Sequence, residues 1–466
     1  MRPFILIMLM TACIACTSEK KKTEAESVSG ATIANVSANG EPENTVKSFL
    51  PFKRDPGYHY SLYTPKGATT ANRYPVLFLF DPHGDAGNPI KRYRSLADKY
   101  GIILVASHES KNGNGARETA SIIQAMLEEV ATIPMADTSL LYCGGFSGGG
   151  RVASMMGLYP GGIKGIIVCG AGIPAGAWFG APPYTIIGIA GNSDMNQREI
   201  TAFKTNKKEL MSHYFVIRYD GTHEWPSEDH FEFALITLQR EAMRAGHRKL
   251  GDDFIKASDQ WMKTYADRFT NPLEKAAVLN NIIRNTEGLS PITETEKNYN
   301  SLVASAEYRK AKSYDEQLAT IETQNKDFYV NQMYQKDTIW WRNEMKTLLD
   351  TSSFANDRPK VAMIRRVQGT LSLTAYTTLN RAIGAIHKEQ GPYFASLYRS
   401  IDPQNAEAWY LSAVVSMQMG DVNTACDYLE QAVRYGFNDI NRCRSEAQFA
   451  ALQSTSRFQQ IISNIH

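Results

Sequence analysis

Short apolar runs alternate with longer segments of helical period from about residue 58 to residue 245. Seven of the runs have strand length: 58–63, 74–80 (YPVLFLF), 102–106 (IILVA), 140–144, 165–169 (GIIVC), 184–189 (YTIIGI) and 214–218 (YFVIR). Several are apolar at odd and even positions alike, the pattern of strands buried on both faces, which belong to parallel sheets covered by helices on both sides. The stretches between them, such as 118–132, have the length and composition of helices, so this part is expected to be an α/β domain. Past residue 246 the strand signals stop. The rest is rich in Ala, Glu, Lys, Leu and Gln, with helix-like segments at 272–284 and 299–320, and predicts an all-α region.

Near the end, AEAWYLSAVVSMQMGDVNTACDYLEQAVRYG places Trp409, Ala413, Gly420-Asp421, Ala425, Leu429 and Ala432 at spacings that resemble a tetratricopeptide repeat. Small residues let two antiparallel helices approach, and Gly420-Asp421 makes the turn between them. A fainter unit precedes it from about 375 to 402. A plain helical hairpin is the competing reading, and Trp261, Trp340 and Trp341 read as core or interface aromatics.

The first residues, MRPFILIMLMTACIACTSEKKK, put Arg2 before an apolar stretch and small residues before a cysteine. This is the layout of an export signal, too short to span a bilayer. Cys13 and Cys16 each resemble the acylated cysteine of the bacterial lipobox, and either can be the lipidation site. A polar tether with few large apolar residues follows. The expected division is a lipoprotein-type signal peptide over 1–16, a flexible linker over 17–44, a catalytic domain over 45–245, a helical region over 246–370 and a repeat-like region over 371–466. The expected location is the bacterial cell envelope, with the body held at a membrane by an N-terminal lipid anchor.

A formal net charge of +2 with 21% charged residues leaves no electrostatic footprint for a nucleic acid. Four cysteines beyond the signal, Cys143, Cys169, Cys426 and Cys443, lack zinc-ligand spacing. Cys143 and Cys169 fall in strand-like runs and read as buried hydrophobes. A Cys426–Cys443 disulfide is conceivable in an exported protein, although spacing does not establish it.

The chemistry starts at YCGGFSGGG, residues 142–150. Gly145-Phe146-Ser147-Gly148-Gly149 satisfies G-x-S-x-G between a strand and a helix, where a serine on a sharp turn needs very small neighbours two positions either side. A phosphate loop would need a Lys-Ser/Thr pair that is absent here. A serine hydroxyl requires a base and the base an orienting acid, in chain order Ser, acid, His. His223 in DGTHEWP, just past the strand run 214–218, is the expected base, ahead of His230 and His213. Asp194 in GIAGNSDMNQ, just past the run 184–189, is the expected acid, ahead of Asp220, which is too near His223 in sequence to reach its Nδ1 easily. For the oxyanion hole the expected donors are the backbone N–H of Gly148 and that of Asp85, which follows His83-Gly84 in FLFDPHGDAGN. Phe146, His83 and Trp225 are expected at the substrate pocket, with His83 bracing its loop.

Together these residues resemble the α/β-hydrolase superfamily, and within it the secreted esterases that are polyhydroxybutyrate depolymerase-like or feruloyl and acetylxylan esterase-like. The resemblance spans about 45–245 and rests on His83-Gly84, the G-x-S-x-G pentapeptide, Asp194 after Gly-Asn-Ser, and Gly221-Thr222-His223-Glu224-Trp225-Pro226. Asp81-Pro82 departs from the usual apolar lead into the oxyanion loop, and small single-domain esterases have no counterpart of the helical half. The resemblance implies hydrolysis of a carboxylic ester, with acyl groups on carbohydrate among the candidate substrates, through an acyl-enzyme on Ser147, with no metal or organic cofactor. A peptidase of the same fold is one alternative. The other is a non-catalytic envelope protein that binds a protein partner through its C-terminal helices.

Overall fold

The computed structural model describes residues 46–159, 162–173, 184–201, 213–384 and 388–465. The expected signal peptide, the tether and both candidate lipidation cysteines, Cys13 and Cys16, lie outside them.

Eight strands form one sheet: β1 (Val46–Pro51), β2 (His59–Tyr63), β3 (Tyr74–Phe80), β4 (Ile103–Ser107), β5 (Ala136–Phe146), β6 (Ile163–Cys169), β7 (Thr185–Gly191) and β8 (Tyr214–Tyr219), in the order β1-β2-β4-β3-β5-β6-β7-β8. From β4 to β8 every pairing is parallel, while β2 runs antiparallel to both β1 and β4. All seven anticipated runs are strands. The eighth, β1, has five exposed positions out of six and buries almost nothing, so it carries no apolar signal to read.

Alternation along each strand divides the apolar side chains between two cores. Leu77, Leu79, Leu104, Ile167, Ile187 and Phe215 pack on one face against α1 (Gly87–Tyr100), while Val76, Phe78, Ile103, Ile166 and Ile186 pack on the other against α2 (Ala116–Val130) and α3 (Gly148–Met156). At roughly 1.5–3 kcal/mol for each large apolar side chain fully removed from water, these two faces hold the sheet between its helices. The loops after the C-terminal ends of the parallel strands are thereby placed side by side, where an open α/β sheet collects its chemistry.

A short α4 (Gln197–Thr201) follows β7, and α5 (Glu228–Arg244) returns across the first face. That core does not stop at residue 245. It takes in Met262, Tyr265 and Ala266 of α6 (Asp252–Ala266) and Val278, Leu279 and Ile282 of α7 (Pro272–Thr286). Then come α8 (Thr293–Ala304), α9 (Ala306–Gln332), α10 (Thr338–Leu348), α11 (Arg358–Gly384), α12 (Gly391–Ile401), α13 (Ala406–Gln418), α14 (Val422–Arg434), α15 (Ile440–Ser445) and α16 (Ser456–Ser463). Most of their apolar residues share a separate core running from Leu318 to Ile462. The fold is therefore a mostly parallel α/β-hydrolase sheet followed by a long all-helical region.

Two details differ from the sequence expectation. The helix anticipated over 299–320 is broken at Ser305, whose backbone is extended (φ −71°, ψ 156°) and whose hydroxyl accepts from Tyr308 N–H at 3.1 Å, an N-cap that starts a new helix. Cys426 and Cys443 are buried free thiols, packed as small hydrophobes. The hairpin of α13 and α14 forms as anticipated: Ala408, Ala413, Ala425 and Ala432 are fully buried, Gly420 turns the chain at φ 79°, and Asp421 caps α14 through Thr424 N–H.

The helical region also reaches back to the sheet. Arg366 on α11 and Glu322 on α9, 3% and 2% exposed, are paired at 2.7 Å, and Arg366 Nη1 also donates to the carbonyl of Asn192 in the loop after β7. Arg198 on α4 meets Asp315 at 2.7 Å and Glu322 at 3.3 Å. Burial alone would raise the Glu322 pKa, but hydrogen bonds and charge from Arg366 and then Lys326 outweigh it and hold the carboxyl at about 2.

Candidate active site

The nucleophile elbow follows from its glycines. Ser147 stands between β5 and α3 at φ 52°, a left-handed angle that a side chain tolerates only under strain. The backbone can cross itself there because Gly145 and Gly149 have no side chains. A Cβ at 145 would lie 2.2 Å from the Gly149 carbonyl oxygen, and one at 149 would lie 1.9 Å from that of Phe80.

Ser147 Oγ is 3.0 Å from His223 Nε2. On the other side of the ring, His223 Nδ1 is 3.0 Å from Asp194 Oδ2; this is ion-pair distance, although the carboxylate sits off the N–H axis, so the contact is not a linear hydrogen bond. Apo geometries of this kind commonly tighten when substrate binds. Asp194 is 1% exposed and accepts from Asn196 N–H at 2.8 Å. The loops carrying acid and base are stitched together by backbone bonds, Asn192 N–H to Tyr219 O at 2.8 Å and Ser193 N–H to Gly221 O at 2.9 Å. The three residues thus meet at the C-terminal edge of β5, β7 and β8.

The competitors stand elsewhere. Asp220 is 76% exposed and faces Arg358 at 3.7 Å. His230 bonds Tyr265 Oη at 2.6 Å, and burial lowers its pKa to about 4, so it stays neutral in the helix-side core. His213 leads into β8, away from the loop that carries His223.

Backbone accounting narrows the oxyanion donors. Ser147 N–H is committed to Cys169 O at 2.8 Å, so Gly148 N–H is the first available after the nucleophile. In the loop after β3, His83 N–H goes to Asp81 Oδ1 and Gly84 N–H to Asp81 O, which makes Asp85 N–H the next along. Gly84 has φ 76° and lies so close to His108 O that only glycine fits. The Asp85 carboxylate itself turns away to accept from Gly87 and Asn88 N–H.

Trp225 requires a correction. It is 5% exposed, its ring packs at 5.7 Å from Phe146 and 5.8 Å from Tyr93, and its Nε1–H donates to Asp81 Oδ2 at 2.8 Å. A ring held on that many sides is packed in the interior and presents no open face, in contrast to the expectation that it lines the substrate pocket. Phe146, 8% exposed, lies against the His223 ring at 4.6 Å. The His83 side chain is 81% exposed, with Nδ1 3.4 Å from Asp81, and that carboxylate raises its pKa.

Sequence reasoning passed over two residues. Asp81 is 2% exposed and joins the loop after β3 to the histidine loop through His83, Asn88 and Trp225; burial would raise its pKa, but those hydrogen bonds keep it below the usual carboxylate value. Its only signal was the Asp81-Pro82 departure from an apolar lead. Asn112 is the other. Its Oδ1 occupies the space a Cβ on Gly148 would need, 1.8 Å from that position, and its backbone N–H bonds Pro82 O at 2.8 Å. It belongs to an irregular loop with no motif.

No family model and no curated protein matches the chain. Solved structures do match in part. Esterase B from Lactobacillus rhamnosis, in a tributyrin phosphonate-inhibited form, aligns at 13% identity over 45% of this chain and 92% of that one, with a TM-score of 0.37. Pyrococcus horikoshii acylaminoacyl peptidase aligns at 12% identity over 46% and 44%, TM-score 0.32. Porphyromonas gingivalis dipeptidyl peptidase 4 aligns at 14% identity over 42% and 35%, TM-score 0.32. The chain spans less than half the length of either peptidase. At these values the likeness carries no functional argument; the strand order and the elbow define the class, a protein of the α/β-hydrolase fold.

Proposed function

We propose that this protein is a serine hydrolase of carboxylic esters. The observation that supports it most is the chain of contacts from Ser147 Oγ through the His223 imidazole to Asp194, 3.0 Å at each step. In this reading the Ser147 oxygen attacks the ester carbonyl carbon while His223 Nε2 takes its proton. Asp194 fixes the tautomer with Nδ1 protonated and stabilises the imidazolium that forms. Negative charge on the former carbonyl oxygen is met by the N–H groups of Gly148 and Asp85 and by the N-terminal end of α3. His223 then returns the proton to the leaving alkoxide, which departs as alcohol and leaves an acyl-enzyme. Water, deprotonated by the same imidazole, releases the acid and restores Ser147.

The reading extends to an exported protein anchored through Cys13 or Cys16, with the α13–α14 hairpin as a repeat-like unit able to hold a protein partner. A series of p-nitrophenyl acyl esters of increasing chain length tests the reaction class. Turnover of the short acyl esters that His223→Ala abolishes is the expected result. Amide turnover exceeding that of p-nitrophenyl acetate would replace esterase with peptidase, and turnover unchanged in His223→Ala would refute the mechanism.

A further inference from the structure

The helical region holds a groove of about 420 Å³ where α10, α12 and α13 converge. Its charge is one-sided. Arg342, Lys346 and Arg399 line it, no acidic residue does, and among the described residues none of the three is within ion-pair distance of a carboxylate. Arg342 and Lys346 stand one turn apart on α10, where like charges repel, so helix stability does not account for the pair. Arg399 is differently held. Its guanidinium donates to Ser412 Oγ and, at 3.2 Å, to Tyr428 Oη, and it stacks 4.3 Å from the Tyr428 ring centre and 5.5 Å from that of Trp409. Burial pushes its pKa down, the Tyr428 hydroxyl pushes it partly back up, and the charged neighbour Arg342 pushes it down again. A cation partly withdrawn from water, fixed by neutral donors and rings, beside two more cations, is a standing positive potential with nothing opposite it. The rest of the wall is mixed: Met345, Leu349, Pro403 and Trp409 are apolar, and Ser396 and Ser400 add two neutral hydroxyls.

We infer that this groove binds an extended acidic peptide segment carrying at least one apolar side chain. Three separated cations match several carboxylates along a strand better than they match one anion, and the apolar wall gives an intervening side chain a place to bury. The volume suits a few residues of chain and is too small for a folded partner. None of its lining residues belongs to the loops that carry Ser147, Asp194 and His223, and the inference does not depend on their chemistry.

The test uses the full chain and a fluorescein-labelled pentapeptide of alternating glutamate and leucine, followed by fluorescence anisotropy. Saturable binding is expected, weakened about tenfold or more by Arg342→Gln/Lys346→Gln and again by raising NaCl from about 50 to about 300 mM. Arg399→Gln should weaken it similarly, but Arg399 is packed and its loss can disturb the fold; the exposed pair on α10 keeps the test decisive, with circular dichroism confirming that the double variant is folded. No saturation at about 1 mM peptide, equal binding of the version with lysine for glutamate, or unchanged binding by the double variant would overturn the inference. So would citrate displacing the probe as well as unlabelled peptide does, since that would reduce the groove to a general anion site.

Discussion

The sheet and the helical region contribute to the same loop by opposite means. The sheet supplies the candidate catalytic residues from short contiguous stretches, five residues at the elbow and a few more after β7 and β8, each placed by the strand that precedes it. The helices supply single long side chains from far along the chain: Arg366 reaches the Asn192 carbonyl across 174 positions, and Glu322 meets Arg198 across 124. Gly369 on α11 leaves room for Met195, next to the acid Asp194, where a Cβ would come within 3.3 Å. The difference separates two kinds of requirement. Making a nucleophile needs particular residues in particular order, whereas holding the acid loop still needs only a satisfied buried charge pair behind it.

Breaking each kind should give a different signature. The largest effect is expected for Asp194→Asn, which keeps the shape but loses the carboxylate that fixes the imidazole tautomer: a fall of about 10⁴-fold in kcat for ester hydrolysis, measured alongside an unfolding curve that moves little. Arg366→Met takes away the main partner of buried Glu322 but leaves Lys326 at 2.8 Å and Arg198 at 3.3 Å, so the cost should stay below the roughly 3–5 kcal/mol of a fully unpaired buried charge, read from chemical denaturation, while kcat falls far less than in Asp194→Asn. A larger loss of kcat from Arg366→Met than from Asp194→Asn would erase the distinction. Trp225→Phe removes a donor from buried Asp81 and should destabilise by about 1–3 kcal/mol, with some loss of kcat because the histidine loop is no longer tied to the loop after β3.

Acid should expose the brace. The Glu322 carboxyl sits at about 2 in the folded chain against an ordinary 4.5. A depressed folded value means its contribution is present above pH 4.5 and is lost as pH falls towards 2, and the shift corresponds to roughly 3 kcal/mol. Unfolding measured between these values should be less steeply acid-dependent in Glu322→Gln. The smallest change is expected from Asn112→Ala, a several-fold fall in kcat/KM without loss of stability, since the Asn112 amide flanks Gly148 but the side chain is exposed.

Legibility in the sequence follows the same division. Strands β2 to β8 were readable because double-faced burial leaves uninterrupted apolar runs, and Ser147, Asp194 and His223 were readable because strand ends position them in chain order. The edge strand β1, almost wholly exposed, left no pattern. Asp81 looked like an irregularity before His83, and its role as a hub emerges only when Trp225 arrives from 144 positions away. The same indole, expected at the substrate pocket from its neighbours in sequence, is buried because Phe146 and Tyr93 pack on it and Asp81 takes its N–H. Ser305 was hidden inside a good helical period, since a cap is one residue and the period is many. The Arg366–Glu322 pair had no signature at all: two charged residues on separate helices read as solvated surface until packing encloses them.

The most direct measurement is intact-mass and peptide-level mass spectrometry of the full chain after exposure to a fluorophosphonate. The account predicts a single phosphonyl adduct, carried by the peptide spanning the YCGGFSGGG loop, located on Ser147 and missing from both Ser147→Ala and His223→Ala. An unlabelled wild-type protein, or an adduct that survives in Ser147→Ala, would contradict it.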